Sequence, residues 1–186
     1  MKKSKAKQRY SVQETDADII LKLDGYDDIF SDFDPRHYSE RALSIDFIDE
    51  LKRAANDKNQ YRLFLKLVLP ARLRKKTVED MIEKRLKEHF VKHYHMLCSE
   101  KNRILSQGIT FIAMGILVML VTTFILYEHA STSVVATFFT VLMEPAGWFF
   151  FWEGLNQSIF RVRDIKPNVL FYKKMHTSSI DFFGVK

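Results

Sequence analysis

Two apolar runs constrain this chain more than any other feature in it. Residues 109–127 (ITFIAMGILVMLVTTFILY) carry no charge, and residues 133–152 (SVVATFFTVLMEPAGWFFFW) carry one, Glu144. A bilayer core of about 30 Å takes roughly 20 helical residues, so each run is long enough to cross it. Tyr127 closes the first run and Trp148 and Trp152 lie near the end of the second, where interfacial aromatics are expected. Over all 186 residues the composition is 47% apolar and 28% charged. That average would suit a soluble protein, but it conceals this concentration. The alternative, a buried helical hairpin in a soluble core, would need two all-round apolar helices in one small domain, which is unusual.

The connector Glu128–Thr132 has no Lys or Arg and is short enough to force an antiparallel hairpin. Lys92, Lys101 and Arg103 precede the first run, and Arg161, Arg163, Lys166, Lys173 and Lys174 follow the second. The positive-inside rule therefore places both termini in the cytoplasm. The basic N-terminus (MKKSKAKQRY) leads into no apolar stretch, so no secretory signal is expected. The lone Cys98 excludes an internal disulfide framework.

Outside the hairpin, charge is asymmetric. Residues 14–50 hold twelve acids against three bases, and residues 51–108 hold fifteen bases against six acids. Such blocks argue against a uniform nucleic-acid-binding surface and for internal pairing or a basic collar against anionic lipid. Residues 1–13 read as a basic disordered tail. Ile19, Leu21 and Leu23 alternate with charged neighbours as a short strand, and 24–43, with Asp24-Gly25 and Asp34-Pro35, as an acidic loop. Ser44 is placed to cap a helix burying Leu43, Phe47, Ile48, Leu51 and Ala55. Residues 61–69 (YRLFLKLVL) form the best strand, stopped by Pro70. Thr77 and Asp80 stand in capping-box position for a long helix through Ile82, Leu86, Phe90, Tyr94 and Leu97 that leads into the first span. After the second span helix continues to about Phe160, Pro167 breaks it, Val169–Met175 resumes, and Ile180 and Phe182 mark a last strand.

The expected fold is an α+β membrane protein. It combines a cytoplasmic domain over 14–106, with about three short strands and two helices, a transmembrane hairpin over 107–160, and a cytoplasmic segment, 161–186, that completes the domain. The strand at 61–69 should pair with those near 18–24 and 179–183, because a two-stranded ribbon is marginal alone.

GWFFFWEGLNQSIF (147–160) with LFYKK (170–174), together with DIFSDFDPR (28–36) and LSIDFIDEL (43–51), resembles an uncharacterised bacterial family of small two-span membrane proteins. In that family a Gly-Trp pair near the end of the second span precedes a second tryptophan, an acid and a basic tail. Gly147, Trp148, Trp152 and Glu153 occupy those positions here. The family usually has a proline after the second tryptophan, where this chain has Glu153-Gly154. The resemblance implies the fold and a bacterial inner-membrane location, and no activity.

Several constellations carry candidate chemistry. Asp24, Asp27, Asp28, Asp32 and Asp34 offer the carboxylate oxygens a hard cation prefers, but not in EF-hand spacing; the competing reading is a solvated loop paired with the basic helices. His89 and His93 stand four apart, and His95 and Cys98 three apart, as zinc pairs can, yet the two pairs point along different helical directions. The expected role of these histidines is a surface one near lipid headgroups. No Gly-rich phosphate loop, HExxH or GxSxG is present, and no catalytic residue or cofactor is expected. Glu144 is the most pointed feature. It lies roughly 16 Å along the second span, near the midplane. Pro145 should kink or unwind the helix there. Ala136, Thr140, Glu144 and Gly147 share a face, and the same depth on the first span falls near Ile116, beside Gly115. Glu144 is then expected in a protein interface, not in lipid. The functional expectation is a non-enzymatic membrane protein that oligomerises through its hairpin, or joins a larger membrane complex, and presents its cytoplasmic domain to a partner. The alternative is a small oligomeric channel, or a membrane-permeabilising effector, with Glu144 in its pathway.

Overall fold

The computed structural model describes residues 17–58, 60, 63–129 and 134–185. The basic tail 1–13, Tyr61 and Arg62 of the expected strand, and connector residues 130–132 lie outside them. In chain order the elements are β1 (Asp18–Lys22), α1 (Ile45–Asn56), β2 (Phe64–Pro70), α2 (Lys76–His129), α3 (Val134–Leu155), α4 (Val162–His176) and β3 (Ser179–Val185). A π-helical segment, Asn156–Arg161, joins α3 to α4. The chain divides into two units: residues up to His93 together with those from Phe171 onward, and Tyr94–Leu170 between them.

The first unit is built on a parallel sheet in the order β1-β2-β3. Ile19, Leu65 and Ile180 stand in one row across it, and Leu21, Leu67 and Phe182 in another. These rows are the period-two apolar faces read from the sequence. A central strand of a parallel sheet meets protein on both faces, which is why Val68 is buried as deeply as its neighbours Leu67 and Leu69. Lys66 is the polar exception on β2, and its ammonium meets the buried Asp18 carboxylate at 2.6 Å.

Parallel neighbours need a long crossover. The first, from β1 to β2, contains α1, whose buried Phe47, Ile48, Leu51 and Ala55 are those the helical spacing selects. The second, from β2 to β3, contains α2, α3 and α4, so the whole second unit is an insertion within a β–α–β connection. Ile82, Leu86 and Phe90 of α2 and Phe171, Tyr172 and Met175 of α4 complete the core of the first unit.

Three local expectations are corrected. Ser44 does occupy the N-cap of α1, but its side chain makes no capping hydrogen bond; its backbone N–H instead donates to the Ile29 carbonyl at 2.9 Å. The Thr77–Asp80 capping box does not form. Helix α2 starts a residue earlier, at Lys76, with Val78 and Glu79 N–H groups donating to the Lys75 carbonyl. There the Arg74 guanidinium holds Glu79 bidentately at 2.8 and 2.9 Å, and Asp80 pairs with Lys76 at 2.8 Å. These charge-assisted bonds outcompete a neutral hydroxyl cap. Finally, α4 runs through Pro167. It forgoes one backbone hydrogen bond, and burial of Phe171, Tyr172 and Met175 in the following turns holds it helical.

Candidate functional site

Within the second unit the later part of α2 and α3 pack antiparallel, and glycines set their distance. A methyl group on Gly115 would lie 2.6 Å from the Phe151 nitrogen and 2.8 Å from the Gly147 carbonyl oxygen. One on Gly154 would lie 2.5 Å from the Gly108 carbonyl oxygen and 2.6 Å from the Ile112 nitrogen. One on Gly108 would run into the Ser158 hydroxyl, and one on Gly147 into the Met119 side chain at 2.8 Å. The two backbones are therefore in direct contact, as only glycine permits, at positions spaced seven residues apart on each helix. Gly108 and Gly154 were not expected to take part, although their heptad spacing from Gly115 and Gly147 is a readable signal.

Large apolar side chains go the other way. Ile109, Leu117, Leu120, Phe124, Phe138, Phe149 and Trp152 are exposed, whereas Gly108, Gly115, Thr122, Thr140, Gly147 and Gly154 are buried. Tyr127, Trp148 and Trp152 are all exposed, and the two indoles stack with centroids 6.4 Å apart. Nearer the connector the glycines end, and a crevice of about 360 Å³ opens between the helices, lined by Leu117, Val121, Ile125, Phe139, Thr140 and Met143. The Thr122 hydroxyl, at its wall, donates to the Val118 carbonyl at 2.8 Å, which leaves the wall apolar.

The intramembrane candidates do not converge. Thr140 is buried in the crevice and Gly115 is packed on Gly147 and Phe151, but Glu144 and Pro145 are exposed on the chain. The side chain of Ala136 lies outside the described residues. Since Gly147 meets Met119 and Gly115, the point level with Glu144 falls past Met119, about a helical turn beyond the expected Ile116. Nor does α3 unwind: it is helical from Val134 to Leu155 with Pro145 inside it. Loss of the bond to the Val141 carbonyl is tolerated because the flanking turns are made of strongly apolar, helix-compatible residues. One helix among the described residues, Lys76–Glu128, is long and apolar enough to cross a membrane.

The acidic loop is an architectural element. Asp28 accepts the Asp24 and Gly25 N–H groups at 2.6 and 3.2 Å. Asp27 pairs with Arg41 at 2.6 Å and accepts the Tyr38 hydroxyl. Asp34 takes Arg36 at 2.7 Å and the Ala42 N–H at 2.7 Å, and the Arg36 hydrogen bond holds its carboxyl well below the usual carboxylate range. The carboxylates thus turn to different partners. Among the described residues, Asp24, Asp27, Asp28, Asp32 and Asp34 included, no group of three or more His, Cys, Asp or Glu gathers as metal ligands.

The histidines are also placed differently from expectation. His89 and His93 are not surface groups: their rings stack at 3.9 Å, and His93 stacks on Tyr172 at 5.3 Å. His93 Nδ1 donates to the His89 carbonyl at 3.0 Å, and His89 Nε2 is buried with no partner among the described residues. Burial, and secondarily the charge of His93, lowers the His89 pKa to about 4. His95 is exposed, away from this stack.

No protein-family model, curated protein or solved structure matches the chain. The likeness to small two-span membrane proteins therefore rests on the residues quoted for it.

Proposed function

We propose that this is a non-enzymatic, two-span membrane protein of a bacterial inner membrane, with both termini and its α+β unit in the cytoplasm. The observation that carries the reading is the inverted packing of α2 and α3: small residues face one another while large apolar side chains face outward. Water would drive those side chains inward, whereas hydrocarbon solvates them and leaves close backbone packing to hold the helices. The resemblance to small two-span membrane proteins, carried by Gly147, Trp148, Trp152 and Glu153, points the same way. Extraction with alkaline carbonate should leave the full chain in the membrane pellet. Cytoplasm-only reporters fused to either terminus should both give signal, and signal from one terminus alone overturns the topology.

Glu144 extends the reading to assembly. A carboxylate exposed to hydrocarbon near the midplane costs several kcal/mol, so in this reading a second copy or a membrane partner covers it. The hairpin then serves as an oligomerising anchor that presents the sheet unit to a cytoplasmic partner. The same exposed acid supports the second reading, an oligomeric ion pathway. Conductance of the purified protein in planar bilayers, abolished by Glu144→Gln, would favour the pathway. Unchanged subunit number with no conductance in either protein favours the anchor.

A further inference from the structure

We infer that His89, His93 and Tyr172 form an acid-released latch, which holds the end of α4 on α2 while His89 is neutral and frees it when His89 takes up a proton. The inference is independent of the two-span reading, because all three residues belong to the first unit. The latch is made of rings. His89 and His93 stand four residues apart on α2, and their imidazoles stack at 3.9 Å. Tyr172 of α4 is buried against them. It stacks on His93 at 5.3 Å and tilts against His89 at 6.2 Å and Phe90 at 6.4 Å. The Nδ1–H of His93 donates to the His89 carbonyl at 3.0 Å, which fixes the second ring in the stack.

A proton on His89 has no partner there. A neutral imidazole can leave one ring nitrogen bare, whereas an imidazolium is a donor at both. His89 Nε2 is buried with no partner among the described residues, so the added proton creates a buried donor without an acceptor. The charges around the ring raise that cost. From α2 it feels Arg85, Lys92 and His93, all basic. From α4 it meets the Tyr172 phenol, which burial keeps protonated. Lys173 and His176 on that helix are exposed, and Lys174 donates to the Lys58 carbonyl at 2.7 Å. From α1, Asp49 acts on Tyr172 and is not among the charges that His89 feels. Glu88, beside His89 in the chain, stands 4.0 Å from Lys84. Burial first, and these bases second, take the His89 pKa from 6.5 to about 4. A charged His89 regains hydration only by leaving the stack. Tyr172 then loses part of its seat on α2, and the turn of α4 that holds Phe171, Tyr172 and Met175 in the core separates from it.

Amide hydrogen exchange of the full chain in detergent, corrected for intrinsic rates at each pH, tests the latch. In the wild type, protection of residues 171–176 should fall about tenfold between pH 7 and pH 5, the proton being favoured in the open form with its ordinary pKa of 6.5 over the latched form with its pKa of about 4. Strand β2 should keep its protection over the same range. His89→Phe retains a ring and removes the proton site, so protection of 171–176 should no longer depend on pH. His89→Leu, smaller and equally unable to titrate, should behave alike and serves if the phenylalanine is not accommodated. His93→Phe keeps His89 and should keep the fall. Constant protection in the wild type, the same fall in either His89 variant, or its disappearance in His93→Phe overturns the assignment to His89. An equal fall in β2 of the wild type overturns the latch, because the whole unit would then be opening.

Discussion

The two units of this protein bury opposite kinds of residue. In the sheet unit Leu65, Leu67, Ile82, Leu86 and Phe90 are inside, and charges are outside except the paired Asp18 and Glu79. In the helical unit the four glycines with Thr122 and Thr140 are inside, and Phe124, Phe138, Phe149 and Trp152 are outside. Both contain well-packed helices, so the contrast teaches what surrounds each. The first is organised by expulsion of apolar surface from water. In the two-span reading proposed above, the second gains little from such expulsion and relies on van der Waals contact between backbones brought together by Gly108, Gly115, Gly147 and Gly154.

The comparison breaks if truncation has the same effect in both units. Leu67→Ala, at a fully buried site on the central strand, should cost about 3–4 kcal/mol in chemical denaturation of the full chain. A loss under about 1 kcal/mol would remove β2 from the centre of the sheet. In the helical unit the damaging change is the opposite one. Gly115→Leu must push the helices apart, because even its Cβ would lie 2.6 Å from the Phe151 nitrogen. The cost should be about 2–3 kcal/mol in detergent, while Leu120→Ala, on the exposed face, should cost under about 0.5 kcal/mol. Greater damage from Leu120→Ala would refute the inverted packing.

Two smaller effects sharpen the electrostatic side of the contrast in the sheet unit. Arg74→Met leaves the buried Glu79 carboxylate with the Tyr26 hydroxyl, 3.1 Å away, in place of its bidentate partner. The expected loss at neutral pH is about 1–2 kcal/mol, reduced by the partial exposure of Arg74. The Arg74 hydrogen bond is the main cause of the lowered Glu79 pKa, so this contribution is present above the ordinary glutamate value of 4.5 and disappears as pH falls through the folded value. Unfolding curves of variant and wild type should therefore converge in acid. His89 acts on a different window. Burial takes its pKa from 6.5 to about 4. Between those values the unfolded chain binds a proton the folded chain refuses, so stability declines as pH falls from 6.5 towards 4. His89→Phe should flatten that slope, with a gain of about 1 kcal/mol near pH 4.5 after allowance for partial exposure. An unchanged slope would place the sensitivity elsewhere.

Local pattern was enough for much of this fold. Alternation in 18–23, the apolar run ending at Pro70, the 3.6-residue spacing of Phe47, Ile48, Leu51 and Ala55, and the uncharged stretch after Gly108 each describe an element through its own neighbours in the chain. The pairing of β2 with both other strands also followed, because only a third strand lets a short central strand bury both its edges. What the sequence by itself determined, then, is which segments are helix or strand and which are apolar.

Other features depend on which segments meet. The parallel direction of the sheet follows from a crossover long enough to hold the whole helical unit. The choice between a Thr77 cap and the Arg74–Glu79 pair, like the use of the loop aspartates as ligands for Arg36, Arg41 and backbone N–H groups, was a competition between partners that local spacing does not rank. The candidate site shows this most clearly. Ala136, Thr140, Glu144 and Gly147 share one face on an ideal helix, but Gly147 and Thr140 turn to α2 and Glu144 does not. Helical period assigns residues to a face, and only the register of the partner helix, set here by backbone contact at four glycines, decides which part of that face is covered.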